Sequence, residues 1–244
     1  MAGRNKNDRE KSAGDARLDP GDFERQKEEM LRVVQQKLEE QDFDSSGETN
    51  EFLARHFTGK TMDEILESER SVPETPEDRA LVEIRGIDGW RDDQTTVRRA
   101  ARRALKIDPD CVEAHALLGD SAGSPKHAIP FYRKAIDAGR RRFADLIEDC
   151  RGKSPEEGGL WGFVETRPFL RAMQSLAACH FVTGDMPGAI ALEEEILRIN
   201  ASDNQGVRET LLLHYLVDHR LEDAEDLLGR YEDDISAAFR FTEP

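Results

Sequence analysis

The segment from Arg167 to Asn200 recurs one helix pair later, at an offset of about thirty-five residues, and few folds satisfy such a repeat. Leu176 maps to Leu211, His180 to Tyr215, Ala189 to Ala224 and Leu192 to Leu227. In the first copy Leu176 and Ala177 fall on one helix, Gly184-Asp185 on a turn, and Ala189 opens a second helix. A unit this short cannot bury its apolar face alone, so copies must stack on one another. The pattern therefore predicts a helical solenoid, an architecture that commonly serves to hold another molecule.

Two more degenerate copies precede these. One carries Leu118-Gly119 after His115 and then the run His127 to Ile136, with a shortened connection; the other ends at Ala104-Leu105-Lys106-Ile107-Asp108-Pro109. Ala104, Ala135 and Ala189 are expected where helices cross closely, because a side chain that stops at Cβ lets two axes approach. Pro109 blocks helix continuation and forces a turn. Leu118, Gly119, Ala128, Tyr132 and Ala135 in one unit, Leu176, Ala177, His180, Gly184 and Ala189 in another, and Ala104 with Pro109 as a unit end resemble the tetratricopeptide repeat. That likeness covers roughly residues 75 to 234. Glu165 to Ala172 and Asn200 to Arg208 are similar to a bacterial group related to the suppressor-of-tumorigenicity-seven proteins. The chain departs from that group in having Ala201 where proline is common, in ending at Pro244, and in having no cysteine-rich metal module. The resemblance implies an all-α, tetratricopeptide-like helical-hairpin solenoid whose first helices line a concave groove for a protein or peptide.

Composition agrees with thin stacked helices. Over 244 residues, 37% are hydrophobic and 35% charged, polar for a globule but ordinary where much helix surface meets water. The formal net charge of -16 repels nucleic acid and anionic membrane at long range, so contact with either would need a local basic patch. No apolar run approaches the roughly twenty residues needed to cross a bilayer, and Met1 to Lys6 leads into charge instead of an apolar signal segment. Cys111, Cys150 and Cys179 form no C-x-x-C and read as reduced thiols. A cytoplasmic protein without membrane contact is expected.

Residues 1–19 hold almost nothing apolar and are expected to form a disordered tail. Residues 20–74 read as an N-terminal helical extension. Its first helix, Pro20 to Gln41, carries Phe23, Met30, Leu31, Val34 and Leu38 at helical spacing and ends at Asp44-Ser45-Ser46-Gly47. A short helix around Phe52, Leu53, His56 and Phe57 follows, and Thr61 with Glu64 forms a capping box for another. The repeat region spans 75–234 and a tail 235–244. Thr75-Pro76 and Ser124-Pro125 place a hydroxyl at the N-cap and proline at the first helical position; Thr166, and Ser202 with Gln205, are expected to cap later helices. Leu227, Leu228, Ile235, Phe239 and Phe241 are apolar for a chain end, which predicts a folded-back tail or a homo-oligomer through that end.

Two arginine sets are candidate sites. Arg167 and Arg171 lie one turn apart and Arg208 sits early on the equivalent next helix. By the tetratricopeptide resemblance these converge on the groove with Gln174 and hold a carboxylate or phosphate of the partner. The competing structural reading pairs them with Glu165 or Asp203 as locks between units. The second set is Arg98, Arg99, Arg102, Arg103 and Lys106, opposite the apolar stripe Val97, Ala101, Ala104 and Leu105. It is read as a solvated outer face, or alternatively as a contact for RNA or the ribosome. Arg140-Arg141-Arg142 falls near a helix C-terminus, where cations oppose the dipole. No nucleophile-base pairing, H-E-x-x-H motif or phosphate-binding glycine loop is recognisable, so no catalytic residue, metal or cofactor is expected. His180 is read as packing, Glu193-Glu194-Glu195 as a solvated face, and Trp161 with Phe163 as a plug between units.

Overall fold

The computed structural model describes residues 20–68, 75–87 and 92–232. The expected tails 1–19 and 235–244, with Ile235, Phe239 and Phe241, lie outside them, as does the side chain of Phe23. Among the described residues every regular element is helical, so the chain is all-α. None of these helices is long and apolar enough to cross a membrane. The chain divides into two compact units, Met1–Ser71 and Val72–Pro244.

The N-terminal unit holds α1 (Pro20–Glu39), α2 (Ser46–Phe57) and α3 (Met62–Ser68). Helix α2 starts where Ser45 accepts the Glu48 N–H, and the Thr61 hydroxyl and Glu64 carboxylate exchange hydrogen bonds with each other's backbone amides. Phe43 meets Phe52 edge-on at 5.3 Å, and Phe52 lies 4.1 Å from the His56 ring. Ile65 is buried, while no residue of α2 is.

The second unit opens with α4 (Pro76–Ile84), capped by a reciprocal Thr75-Asp78 box. It continues with α5 (Gln94–Ile107), α6 (Val112–Asp120), α7 (Pro125–Arg142), α8 (Ala144–Cys150), three 3-10 turns between Pro155 and Thr166, then α9 (Arg167–Val182), α10 (Met186–Ile199), α11 (Val207–Val217) and α12 (Leu221–Arg230). Helices pack in chain order: α4 on α5, α5 on α6, α6 on α7, α7 on α9, α9 on α10, α10 on α11 and α11 on α12. α6 also touches α4 and α9. Ala104, Ala135 and Ala189 are buried between these helices. Two glycines mark the tightest approaches, since a Cβ on Gly119 would enter the Tyr132 ring and one on Gly139 the Phe169 ring. Trp161 and Phe163, half-buried, pack on the core between α8 and α9, and Tyr231 reaches back from the end of α12 to the Ala201 carbonyl at 2.7 Å.

Three sequence expectations about local geometry are corrected. Thr166 precedes α9 with a helical backbone, and its hydroxyl lies 2.6 and 2.8 Å from the Leu160 and Phe163 carbonyls instead of capping the helix. Ser124 does stand before α7, but its hydroxyl meets His127 Nδ1 at 3.1 Å and no backbone N–H. Ser202 and Gln205 form no box: Ser202 turns to Asn204, and α11 begins only after left-handed Gly206. The free N–H groups there go to Asp203, which accepts from Val207 at 2.8 Å and Arg208 at 2.9 Å.

Candidate functional site

Helices α9 and α11 run side by side in the same sense. Gln174 and Gln205 join them at one end, with Gln205 donating to the Gln174 carbonyl oxygen at 2.9 Å and Gln174 to the Gln205 backbone carbonyl at 3.4 Å. At the other end Phe181 stacks on His214 with ring centroids 4.5 Å apart. From the first contact to the second the residue numbers rise on both sides, 174 to 181 and 205 to 214, which fixes the direction. Arg171, Gln174, Ala178 and Phe181 then fall on one stripe of α9, and Thr210, Leu213 and Val217 on one stripe of α11.

The predicted arginines take different places on this surface. Arg208 extends a nitrogen to within 3.1 Å of the buried Asp203 carboxylate and lays its guanidinium over the Tyr231 ring, 5.3 Å from the centroid. Burial raises the Asp203 carboxyl above its ordinary range, and the Arg208 and Val207 amides with the Arg208 guanidinium oppose that rise. Arg167 donates to the Trp161 carbonyl at 3.1 Å and stacks on its indole at 5.1 Å. These two side chains hold connecting segments in place. Arg171 stays half-buried on the α9 stripe with Gln174.

The acidic run on α10 corrects the expectation of a solvated face. Ala189, Ile190, Glu193, Ile196 and Leu197 form the buried stripe of that helix, so Glu193 points inward and is only 4% exposed. It meets His214 Nδ1 at 2.8 Å. Desolvation raises the Glu193 carboxyl, against the lowering by His214 and Thr210. Glu194 accepts from the Tyr215 hydroxyl and from Arg220, and Glu195 pairs with Arg140 at 2.7 Å. His180 is buried and lies 2.6 Å from Asp185, which also caps α10. The Glu193-His214 pair was missed in sequence, although a glutamate four residues after Ala189 on an apolar stripe is its signal.

Above that pair the surface is apolar. Phe181, Val182, Leu213 and Val217 are between 46% and 67% exposed. A separate depression of about 660 Å³ lies beside α10 and α12, where Arg220 is already engaged by Glu194 and Asp223.

Of the α5 set, Val97, Ala101 and Ala104 are buried as their periodicity predicts, together with Ala100, and Arg99, Arg102, Arg103 and Lys106 are exposed, whereas Leu105 and Arg98 are half-buried. Arg103 pairs with Glu83 at 2.5 Å, and Arg98 donates to the Ser121 carbonyl. Arg140, Arg141 and Arg142 each find a carboxylate, on Glu195, on Asp110 and on Glu77 with Asp108. The cysteines are free thiols, and burial pushes that of Cys111 up to about 12. Among the described residues no three His, Cys, Asp or Glu side chains gather as a metal site. Comparison with family models, with curated proteins and with solved structures gives no match.

Proposed function

We propose that the chain is a non-catalytic scaffold of tetratricopeptide type, a helical-hairpin solenoid that binds a protein or peptide segment along the stripes of α9 and α11. One observation carries the reading: Phe181, Val182, Leu213 and Val217, all large and apolar, are exposed on two helices that the Phe181-His214 stack joins. Scattered apolar residues on a surface are ordinary, but a cluster on a folded array marks a contact face. The repeat assignment draws support from the packing order of the helices and from burial at equivalent positions. Leu176 and Leu211, His180 and Tyr215, and Ala189 and Ala224 are all buried. So does the Gly119-Tyr132 approach, at two positions that carry the family likeness.

The partner segment offers apolar side chains to the Phe181 end and an acidic group to Arg171 at the other. Asp203 and Tyr231 hold Arg208, and the Trp161 carbonyl and ring hold Arg167, in the wall of this face. Of the expected ligand set Arg167, Arg171, Arg208 and Gln174, we propose Arg171 and Gln174 as the polar end beside this apolar floor.

The test is affinity purification from the source organism, followed by direct titration of the identified binder against Leu213→Glu, Val217→Glu and Arg171→Ala. Each aspect of the reading predicts a weaker complex, about tenfold or more for either glutamate. Unchanged affinity in both glutamate variants, with normal melting curves, would remove this face as the site.

A further inference from the structure

Arg99, Arg102 and Lys106 stand at i, i+3 and i+7 on α5, and so on one stripe. None of the three makes an ion pair with another described residue. Other cations of the same unit are paired with carboxylates inside the fold. Arg103, Arg140, Arg141 and Arg142 all find one. Arg98 is held differently, by the Ser121 carbonyl, which ties the first turns of α5 to the turn between α6 and α7.

That tie brings two depressions together. One, of about 500 Å³, is lined by Thr95 and the five cations of α5. The other, of about 250 Å³, has Leu118, Ala122 and Phe131 among its walls, and Arg98 and Arg102 border both. The surface therefore offers a cationic stripe that runs directly into an apolar hollow.

We propose that this face is a second docking site, distinct from the α9-α11 face, and that it takes an acidic peptide segment carrying two or more carboxylates beside one aliphatic or aromatic side chain. Guanidinium groups meet carboxylates with paired hydrogen bonds, and the hollow receives the apolar side chain. The stripe rises only about 10 Å from Arg99 to Lys106 at 1.5 Å per residue, which suits a short segment. An extended polyanion such as RNA would reach beyond it onto an acidic protein that repels it, and its backbone has no use for the apolar hollow.

The experiment is a selection from a random peptide library on the full chain, repeated on Arg99→Glu/Arg102→Glu/Lys106→Glu, with the enriched sequences titrated singly. A short single-stranded RNA is titrated in parallel. The expected winners carry Asp or Glu close to an aliphatic or aromatic residue. They lose about tenfold or more in affinity on the triple variant, and a comparable amount when their acids become Asn or Gln. Replacing the apolar residue of the peptide by Ser also weakens them. Arg99→Lys/Arg102→Lys keeps part of the binding, because charge survives while the paired geometry is lost. Peptides without acid enrichment, or ones indifferent to the triple variant, overturn the proposal. RNA that binds more tightly than the best peptide and is lost on the triple variant overturns it too, in favour of a nucleic-acid face. The amidated peptides give the same decision without altering the protein, should the triple variant fold poorly.

Discussion

The two arginine-bearing surfaces of the second unit differ in what the rest of the chain presents to them. Around α9, α10 and α11, acids and carbonyls from connecting segments and from α10 reach the cations: Asp203 takes Arg208, the Trp161 carbonyl takes Arg167, and Glu194 takes Arg220. Along α5, Glu83 takes Arg103 and the Ser121 carbonyl takes Arg98, but Arg99, Arg102 and Lys106 meet no acid among the described residues. Helical spacing makes the two sets look alike, since it says which cations share a face. Whether a cation is already engaged depends on loops and neighbouring helices. The difference is thus between arginines engaged within the fold and cations that meet no acid among the described residues.

Asp203→Ala attacks the first kind at its strongest point. The carboxylate accepts two backbone N–H groups and the Arg208 guanidinium while wholly buried, and the residue itself sits at φ 45°. Losing all three acceptor contacts, and placing alanine in a left-handed conformation, should cost about 3 kcal/mol in chemical denaturation. Asp203→Asn tolerates that backbone and keeps an acceptor, so about half that loss is expected. A cost near zero for the alanine would mean that α11 has another start signal.

Arg208→Ala is milder, because Asp203 keeps its two backbone donors. A loss of about 1 to 2 kcal/mol is expected, with binding to the α9-α11 face retained. Stability untouched and binding abolished would return Arg208 to the ligand set.

Glu193 supplies a pH test of the same interior. Its carboxyl is raised by burial, so the folded chain takes up a proton at a higher pH than the unfolded chain does. Acidification from neutrality therefore stabilises the fold through this group, and the gain is complete once the pH is below the ordinary glutamate range. Against Glu193→Gln, which cannot titrate, the natural protein should gain relative stability as the pH falls through that window. A constant difference between the two unfolding curves across the window would mean that Glu193 does not shift on folding.

Much of this was legible from the chain. The buried stripes Val97-Ala101-Ala104 and Ala189-Ile196 follow helical periodicity, and the Thr75 and Thr61 boxes form because hydroxyl and acid stand three residues apart before apolar runs. What escaped depended on through-space neighbours. Ser202 and Gln205 have the right spacing for a box, but α11 begins only after Gly206, and its first amides, those of Val207 and Arg208, go to Asp203 instead. Thr166 is drawn to the Leu160 carbonyl by the 3-10 turns before it, which no local rule predicts. Glu193 was misread through its neighbours Glu194 and Glu195, although its own phase on α10 places it inside. For the candidate site, Arg171 and Gln174 were legible as positions on α9, while the exposed Phe181, Val182, Leu213 and Val217 were not singled out in the sequence. The engagement of Arg208 by Tyr231, from the far end of α12, was not legible.

The smallest expected effect is on the other surface and completes the contrast. Arg99→Ala, Arg102→Ala and Lys106→Ala remove side chains that are exposed and have no ion pair among the described residues, while the α5 core beneath them is Val97, Ala100, Ala101 and Ala104. Alanine favours helix at each position, so any lost packing of the aliphatic stems is offset in part. Each variant should stay within about 0.5 kcal/mol of the parent in urea unfolding, at low and at moderate salt alike. Removing one of several like charges on a stripe can even stabilise slightly, most visibly at low ionic strength, where repulsion is least screened. A loss above about 1 kcal/mol at any of the three would place that cation among the structural arginines. It would also take from the α5 stripe the freedom on which its proposed role depends.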